Sequence, residues 1–173
     1  MTAVILSMEE VNKLPSDLFI KIFGNVVEHY SYAAIGILKC RPFKRVEDIV
    51  EAFTNYLDSL SDNEKIKILQ LHPDLAGKLT ENEELTHESR EEQKSAGLDV
   101  ITPENKSKFN TLNEIYKKKF DFPFVICARE NKVQAILSSI TDRLQNEHNK
   151  ELYTGIEEVK KISRLRIYQI VRG

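Results

Sequence analysis

Three places carry most of the chemistry this chain can offer: His72, the Glu91-Glu92-Gln93 run and Arg166. His72 stands directly before proline in Leu71-His72-Pro73-Asp74-Leu75-Ala76-Gly77-Lys78. A residue before proline is pushed out of helical geometry towards extended backbone. The imidazole is therefore expected at a helix exit, beside a short irregular segment, and not on a helix face. Such connections are where reactive side chains are often presented. With an ordinary pKa of about 6.5, an imidazole can serve as acid or base near neutral pH. A lone histidine is also commonly a structural residue, so spacing alone does not decide.

Glu92 lies in His87-Glu88-Ser89-Arg90-Glu91-Glu92-Gln93-Lys94-Ser95-Ala96, a helix pattern with almost nothing apolar to bury. A helix polar all round is either solvated or there to present chemistry. Ser89 and Glu92 are three apart and face the same way. Arg166 lies on the last helical pattern. At 100° per residue, Leu152, Ile156, Val159, Ser163 and Ile170 share one face, and Arg166 falls about 20° from Val159. Arg164 points elsewhere. A guanidinium on a core-facing stripe is costly unless paired. Either it snorkels to water at the stripe's edge, or it forms an anion site, where arginine grips a carboxylate through two parallel hydrogen bonds.

Other constellations fail. His87-Glu88-Ser89-Arg90-Glu91 begins like a zinc metalloprotease motif but lacks the second histidine four residues on. His72 and Asp74 would bind a metal only with further ligands. There is no glycine-rich phosphate loop, no nucleophile elbow and no Cys-x-x-Cys.

The elements that must position these residues are helical. Ser7-Met8-Glu9-Glu10 is a capping box for a helix to about Lys13, and Ser16-Asp17 starts a second. Ser31 is read as the N-cap of a segment from Tyr32 to Lys39. Val46, Ile49, Val50, Phe53, Leu57 and Leu60 mark one face of an amphipathic helix. Ser61-Asp62-Asn63-Glu64 opens the helix that must end near His72. Glu81 to Glu84 reads as loop. Thr86 caps the polar helix and Gly97 closes it. Thr102-Pro103 supplies an N-cap and N1 pair for a helix with Phe109, Leu112, Tyr116 and Phe120 on its stripe. Phe122-Pro123-Phe124-Val125-Ile126-Cys127-Ala128-Arg129 is an apolar, β-branched run. It has no partner strand, so it is read as an extended segment threaded into a helical core. Val133, Ile136, Leu137, Ile140 and Leu144 mark a further helix. Asn146 to Lys150 reads as a polar turn before a last helix from about Glu151 to Ile170. The expectation is an all-α fold, one compact domain over residues 1–173 with several short and medium helices and one extended apolar segment.

Composition bounds the function. The chain has 173 residues, 41% apolar and 30% charged, with 25 basic against 27 acidic side chains. A net charge of −2 argues against a nucleic-acid binder that works by neutralising phosphates. No apolar run approaches the roughly 18–20 residues that span a bilayer, and Met1 to Met8 leaves no room for a signal h-region. Cys40 and Cys127 stand in apolar surroundings and are expected to be reduced core thiols of an intracellular protein.

Taken together, several stretches resemble the signature of the OHCU decarboxylases, the 2-oxo-4-hydroxy-4-carboxy-5-ureidoimidazoline decarboxylases of urate breakdown. They are His72-Pro73-Asp74-Leu75-Ala76-Gly77, then Glu88 to Gln93 with Ala96-Gly97-Leu98, then Phe122 to Arg129. Arg41-Pro42-Phe43 and Glu157-Glu158-Val159-Lys160-Lys161-Ile162 to Leu165-Arg166 resemble the family too. The likeness runs in order from about Phe19 to Ile170. It implies an all-helical homodimer that needs neither metal nor organic cofactor and acts on OHCU, the precursor of (S)-allantoin. It places the family's catalytic histidine on His72, its essential glutamate on Glu92 and its arginine on Arg166. Its substrate contacts fall on Pro73, on Ser89, Arg90, Glu91, Glu92 and Gln93, and on Phe124, Val125, Ile126, Cys127 and Ala128, largely through main chain. Many eukaryotic members end in a peroxisomal tripeptide. Val171-Arg172-Gly173 is not one, which leaves the cytoplasm open as the compartment.

Two other readings are carried forward. One is a metal-dependent hydrolase of a ureide or cyclic amide, with His72, Asp74 and His87 as ligands. The other is a non-catalytic helical interaction module, docking through Arg166 and the Glu91-Glu92 pair.

Overall fold

The computed structural model describes residues 5–76 and 85–173. Gly77-Lys78 of the His-Pro stretch and the polar Glu81 to Glu84 segment lie outside the described residues. Among the described residues the regular structure is helical, with no strand beyond an isolated parallel bridge between Leu6 and Val171. The all-α expectation therefore holds. No helix there is long and apolar enough to cross a membrane. By internal contacts the chain divides into two compact units: residues up to Ser61 together with Lys160–Gly173, and Asp62–Val159.

The first unit begins with α1 (Met8–Lys13), α2 (Ser16–Phe23), α3 (Tyr32–Ile37) and α4 (Val46–Asp58). The Ser7 capping box forms in both directions, as Glu10 N donates to Ser7 Oγ and Ser7 N to Glu10 Oε1. Ser31 departs from expectation. It has helical backbone and makes no side-chain cap, and the helix it precedes gives way to a 3-10 turn at Leu38–Cys40. That turn leaves Cys40 exposed, which corrects its reading as a core thiol. The α4 stripe buries Val46, Ile49, Phe53 and Leu57 as the period predicts. Arg41-Pro42-Phe43 has a structural task in this unit. Arg41 Nη1 donates to Leu14 O at 2.7 Å, and Asn12 exchanges two hydrogen bonds with the Phe43 main chain.

The second unit holds α5 (Asp62–Gln70), α6 (His87–Ser95), α7 (Pro103–Phe120) and α8 (Val133–Arg143). It also holds the first part of α9 (His148–Ile170), whose remainder belongs to the first unit. The helix α9 starts inside the segment read as a polar turn. Thr86 caps α6 by accepting from Ser89 N at 3.1 Å, and Gly97 takes the left-handed φ of 85° that ends it. Thr102 and Pro103 open α7 as expected. The core of this unit is aromatic. Tyr116 lies 4.6 Å from Phe120, 6.1 Å from Phe122 and 5.4 Å from Phe124 between ring centroids. Such pairs contribute about 0.5–1.5 kcal/mol each beyond burial. Residues 123–127 carry no regular structure and are buried throughout, matching the threaded extended segment.

Candidate active site

The His-Pro stretch leaves the end of α5 as Pro73 requires. His72 N still closes the last turn on Leu69 O at 3.1 Å, and the side chain folds back along the helix. Its Nδ1 lies 2.9 Å from Ile68 O. A carbonyl only accepts, so Nδ1 carries the hydrogen, and in the neutral imidazole Nε2 is the basic nitrogen. The ring is buried, at 9% exposure. This is a fixed tautomer, which is what a proton-exchanging histidine needs.

Three neighbours pin the residues that follow. Lys117 Nζ pairs with Asp74 Oδ2 at 2.6 Å. Asn113 Nδ2, buried on α7, donates to Leu75 O at 3.0 Å. Ala76 N donates to Gln93 Oε1 of α6 at 3.3 Å. Ala76 sits at φ 53°, a left-handed conformation that a residue with a Cβ adopts only when its surroundings hold it there. The Gln93 bond thus ties the imidazole-bearing stretch to the polar helix.

That helix is not a solvated face. Ser89, Glu92 and Gln93 are all buried, with Ala96 one turn further on the same side. Arg90 is exposed and Glu91 half-buried, so of the five predicted residues Ser89, Glu92 and Gln93 point inward. A buried polar helix face is expensive unless its groups are hydrogen-bonded, as Gln93 is to Ala76 N.

The same face meets the extended segment. The helix α6 packs against the 3-10 turn Ala128–Glu130 that ends it. Phe124, Val125, Ile126, Cys127 and Ala128 are each buried. Burial pushes the Cys127 thiol up to about 11, and the charges of Glu130, Glu158 and Glu92 add to the rise. The segment's main chain is held by side chains and not by a ladder. Cys127 N donates to Glu158 Oε1 at 3.0 Å, and Val125 O accepts from Arg143 Nη1 at 2.8 Å. Sequence reasoning missed Arg143, Glu151, Glu158 and Asn113. Arg143 falls at i+7 from Ile136 and i+3 from Ile140, on the apolar stripe of α8. That is the same signal that marked Arg166.

Arg166 is 2% exposed, so it does not snorkel. It belongs to the first unit, where Nη1 donates to Asn25 O at 2.6 Å and Nη2 lies 3.7 Å from Glu28 Oε2. Arg164 is exposed and stacks on Tyr168, as the helical wheel predicted. The competing readings lose their residues. Asp74 is paired with Lys117, His87 is exposed, and among the described residues no three His, Cys, Asp or Glu side chains gather as a metal site. The docking reading needs Arg166 and Glu92 at the surface, and both are buried. A groove of about 570 Å³ between α7 and α8, lined by Ser107, Thr111, Gln134 and Ser138, contains none of the predicted site residues.

An imidazole of fixed tautomer and a carboxylate, buried on two hydrogen-bonded segments of an all-helical protein, are groups able to exchange a proton. The sequence narrows this chemistry. Residues 12–168 match the OHCU decarboxylase family, and the chain belongs to it. It is 41% identical over 167 residues to the 2-oxo-4-hydroxy-4-carboxy-5-ureidoimidazoline decarboxylase of Amia calva, covering 96% of this chain and 95% of that one. The enzyme of the same name from Xenopus laevis is 38% identical over 162 residues, covering 94% and 93%. A crystal structure of (S)-allantoin synthase superposes with a TM-score of 0.76 at 20% identity, over 95% of this chain and 54% of that chain. That last likeness bears on the fold alone.

Proposed function

We propose that the protein decarboxylates 2-oxo-4-hydroxy-4-carboxy-5-ureidoimidazoline to (S)-allantoin, the step that closes urate degradation to allantoin. Family membership supports the reaction. The observation that carries the assignment of residues is the buried His72 ring, fixed through Nδ1 and joined through Ala76 to the inward polar face of α6.

The chemistry follows from the substrate. The carboxylate leaves from the ring carbon that bears the hydroxyl. The electron pair it releases forms a double bond to the neighbouring ring carbon, whose C=N pair moves onto nitrogen and takes a proton. The ring is its own electron sink, so the step asks for no pyridoxal or thiamine. The enol then gives up its hydroxyl proton while the ureido-bearing carbon gains one, which yields allantoin. In this assignment His72 moves the proton at the hydroxyl or at that carbon. Glu92 hydrogen-bonds the substrate and fixes its orientation. Pro73, Ser89 and Gln93 wall the site, and the main chain of Phe124 to Ala128 reads the ring and ureido edges. Arg166 takes the anion-holding role that the family implies. Within its own unit the guanidinium is held by Asn25 O and faces Glu28. General acid–base help is worth about 10²–10⁴-fold.

The test is carbon dioxide release from freshly made substrate. Release well above the spontaneous rate is expected, and decay at the spontaneous rate contradicts the reading. The family also implies a homodimer, which sedimentation would show as twice the 20.0 kDa chain. A particle of one chain mass would remove that expectation.

A further inference from the structure

The network that holds the extended segment does more than fill the core, and the residue at its centre is Arg143. Its Nε donates to Glu151 Oε1 at 2.7 Å, and its Nη1 to Val125 O at 2.8 Å. The central carbon of the guanidinium lies over the Phe124 ring, 4.2 Å from the centroid. Glu151 is fully buried and satisfied from three sides, since Tyr116 Oη donates to Oε1 at 2.6 Å and Asn146 Nδ2 to Oε2 at 2.9 Å. Burial and the bond to Glu151 push the Tyr116 hydroxyl far above its usual range, so it stays a neutral donor. Arg143 Nη2, by contrast, is buried with no hydrogen-bond partner among the described residues.

This is a poor way to build stability. A buried ion pair gives little or nothing over apolar side chains of the same volume, and an orphaned buried donor is a further cost. The same contacts are a good way to fix a backbone. The segment has no ladder to set its height or rotation. Arg143 grips one carbonyl and stacks on the ring just before it, while Glu158 takes the amide of Cys127 two residues on. The backbone of Ile126 lies between the two holds.

We propose that Arg143, anchored by Glu151, is a positioning residue that sets the main chain of Val125 to Cys127 at the height needed to read the substrate. The inference rests on the decarboxylase reading, in which that main chain touches the ring. A lysine at this position keeps a charge for Glu151 but cannot reach Glu151 and Val125 O together while stacking on Phe124. The misplacement, on the order of 1 Å, costs about tenfold or more in substrate recognition.

The experiment compares the wild-type protein with Arg143→Lys and with the charge-free pair Arg143→Met/Glu151→Gln. In the pair, the glutamine oxygen still accepts from Tyr116. Turnover of fresh substrate, (S)-allantoin binding by calorimetry and melting temperature are measured for each. For both variants KM and the allantoin Kd are expected to rise about tenfold or more, with kcat changed much less. The charge-free pair leaves Val125 O without its donor, so it is expected to stay folded but to lose about 1–3 kcal/mol, a fall in melting temperature of about 2–4 °C per kcal/mol. Unchanged KM and Kd in a folded variant would overturn the inference, as would loss of the fold in both variants, which makes Arg143 a residue of the fold. A wild-type protein that neither turns over the substrate nor binds allantoin would sink the functional reading itself, before any variant is compared.

Discussion

Burial decides what the Cys127 thiol can do. Cys127 lies in the segment assigned to substrate, yet its thiol is held up to about 11, first by burial and then by Glu130, Glu158 and Glu92. At neutral pH it is a protonated, unreactive thiol, so its main chain is what the segment offers. The folded chain keeps this proton longer than the unfolded chain does. The resulting stability is fully present below the ordinary value of 9.0 and is lost as pH rises towards about 11. Tyr116, shifted in the same direction, adds to the loss at still higher pH. Melting temperature is therefore expected to fall between these values more steeply in wild type than in Cys127→Ala. Equal slopes would contradict the assignment. Thiol titration of the native protein should find the exposed Cys40 promptly and Cys127 only on unfolding.

At the scale of the element, the site depends on where α5 ends, and that depends on how closely α9 approaches it. A Cβ at Gly155 would lie 3.0 Å from both methyl carbons of Leu69, which is fully buried and cannot swing away. Gly155→Val is expected to cost about 1–3 kcal/mol through overpacking, a fall in melting temperature of about 2–4 °C per kcal/mol. It should also displace the α5 terminus that carries His72, so kcat/KM falls with it. A variant as stable as wild type would show that the two helices have room to part. The elements themselves were largely legible in the sequence, because caps and periods are local. Ser7 with Glu10, Thr86, Gly97 and Thr102-Pro103 each act within four residues. Ser31 misled because a serine before an apolar run signals a cap only if its backbone leaves the helical region, and here it does not.

At the scale of the molecule, the site draws on segments far apart in the chain, and this is where sequence reasoning stopped short. Asn113 reaches Leu75 across 38 positions, and Glu158 reaches Cys127 across 31. No local pattern marks such a pair. His72, Glu92 and the extended segment stand out in the sequence because Pro73, an all-polar helix and an unpartnered apolar run are each locally odd. The oddity of the helix was real, but its cause was invisible, since composition cannot tell a solvated polar face from a buried one. The groups that support the site, Arg143 and Glu151 among them, follow only from the packed second unit. There the Tyr116, Phe120, Phe122 and Phe124 rings supply burial that offsets the cost of so many enclosed polar groups.

The central claim is that His72 moves a proton in the step that gives the product its single hand. Freshly made substrate left to decay gives allantoin of both hands, with no circular dichroism. With the wild-type protein the allantoin formed should show the full signal of the (S) form. With His72→Asn, whose amide cannot exchange a proton at neutral pH, the rate of signal appearance should fall by about 10²-fold or more. Full-rate appearance of the (S) signal with His72→Asn would contradict the account.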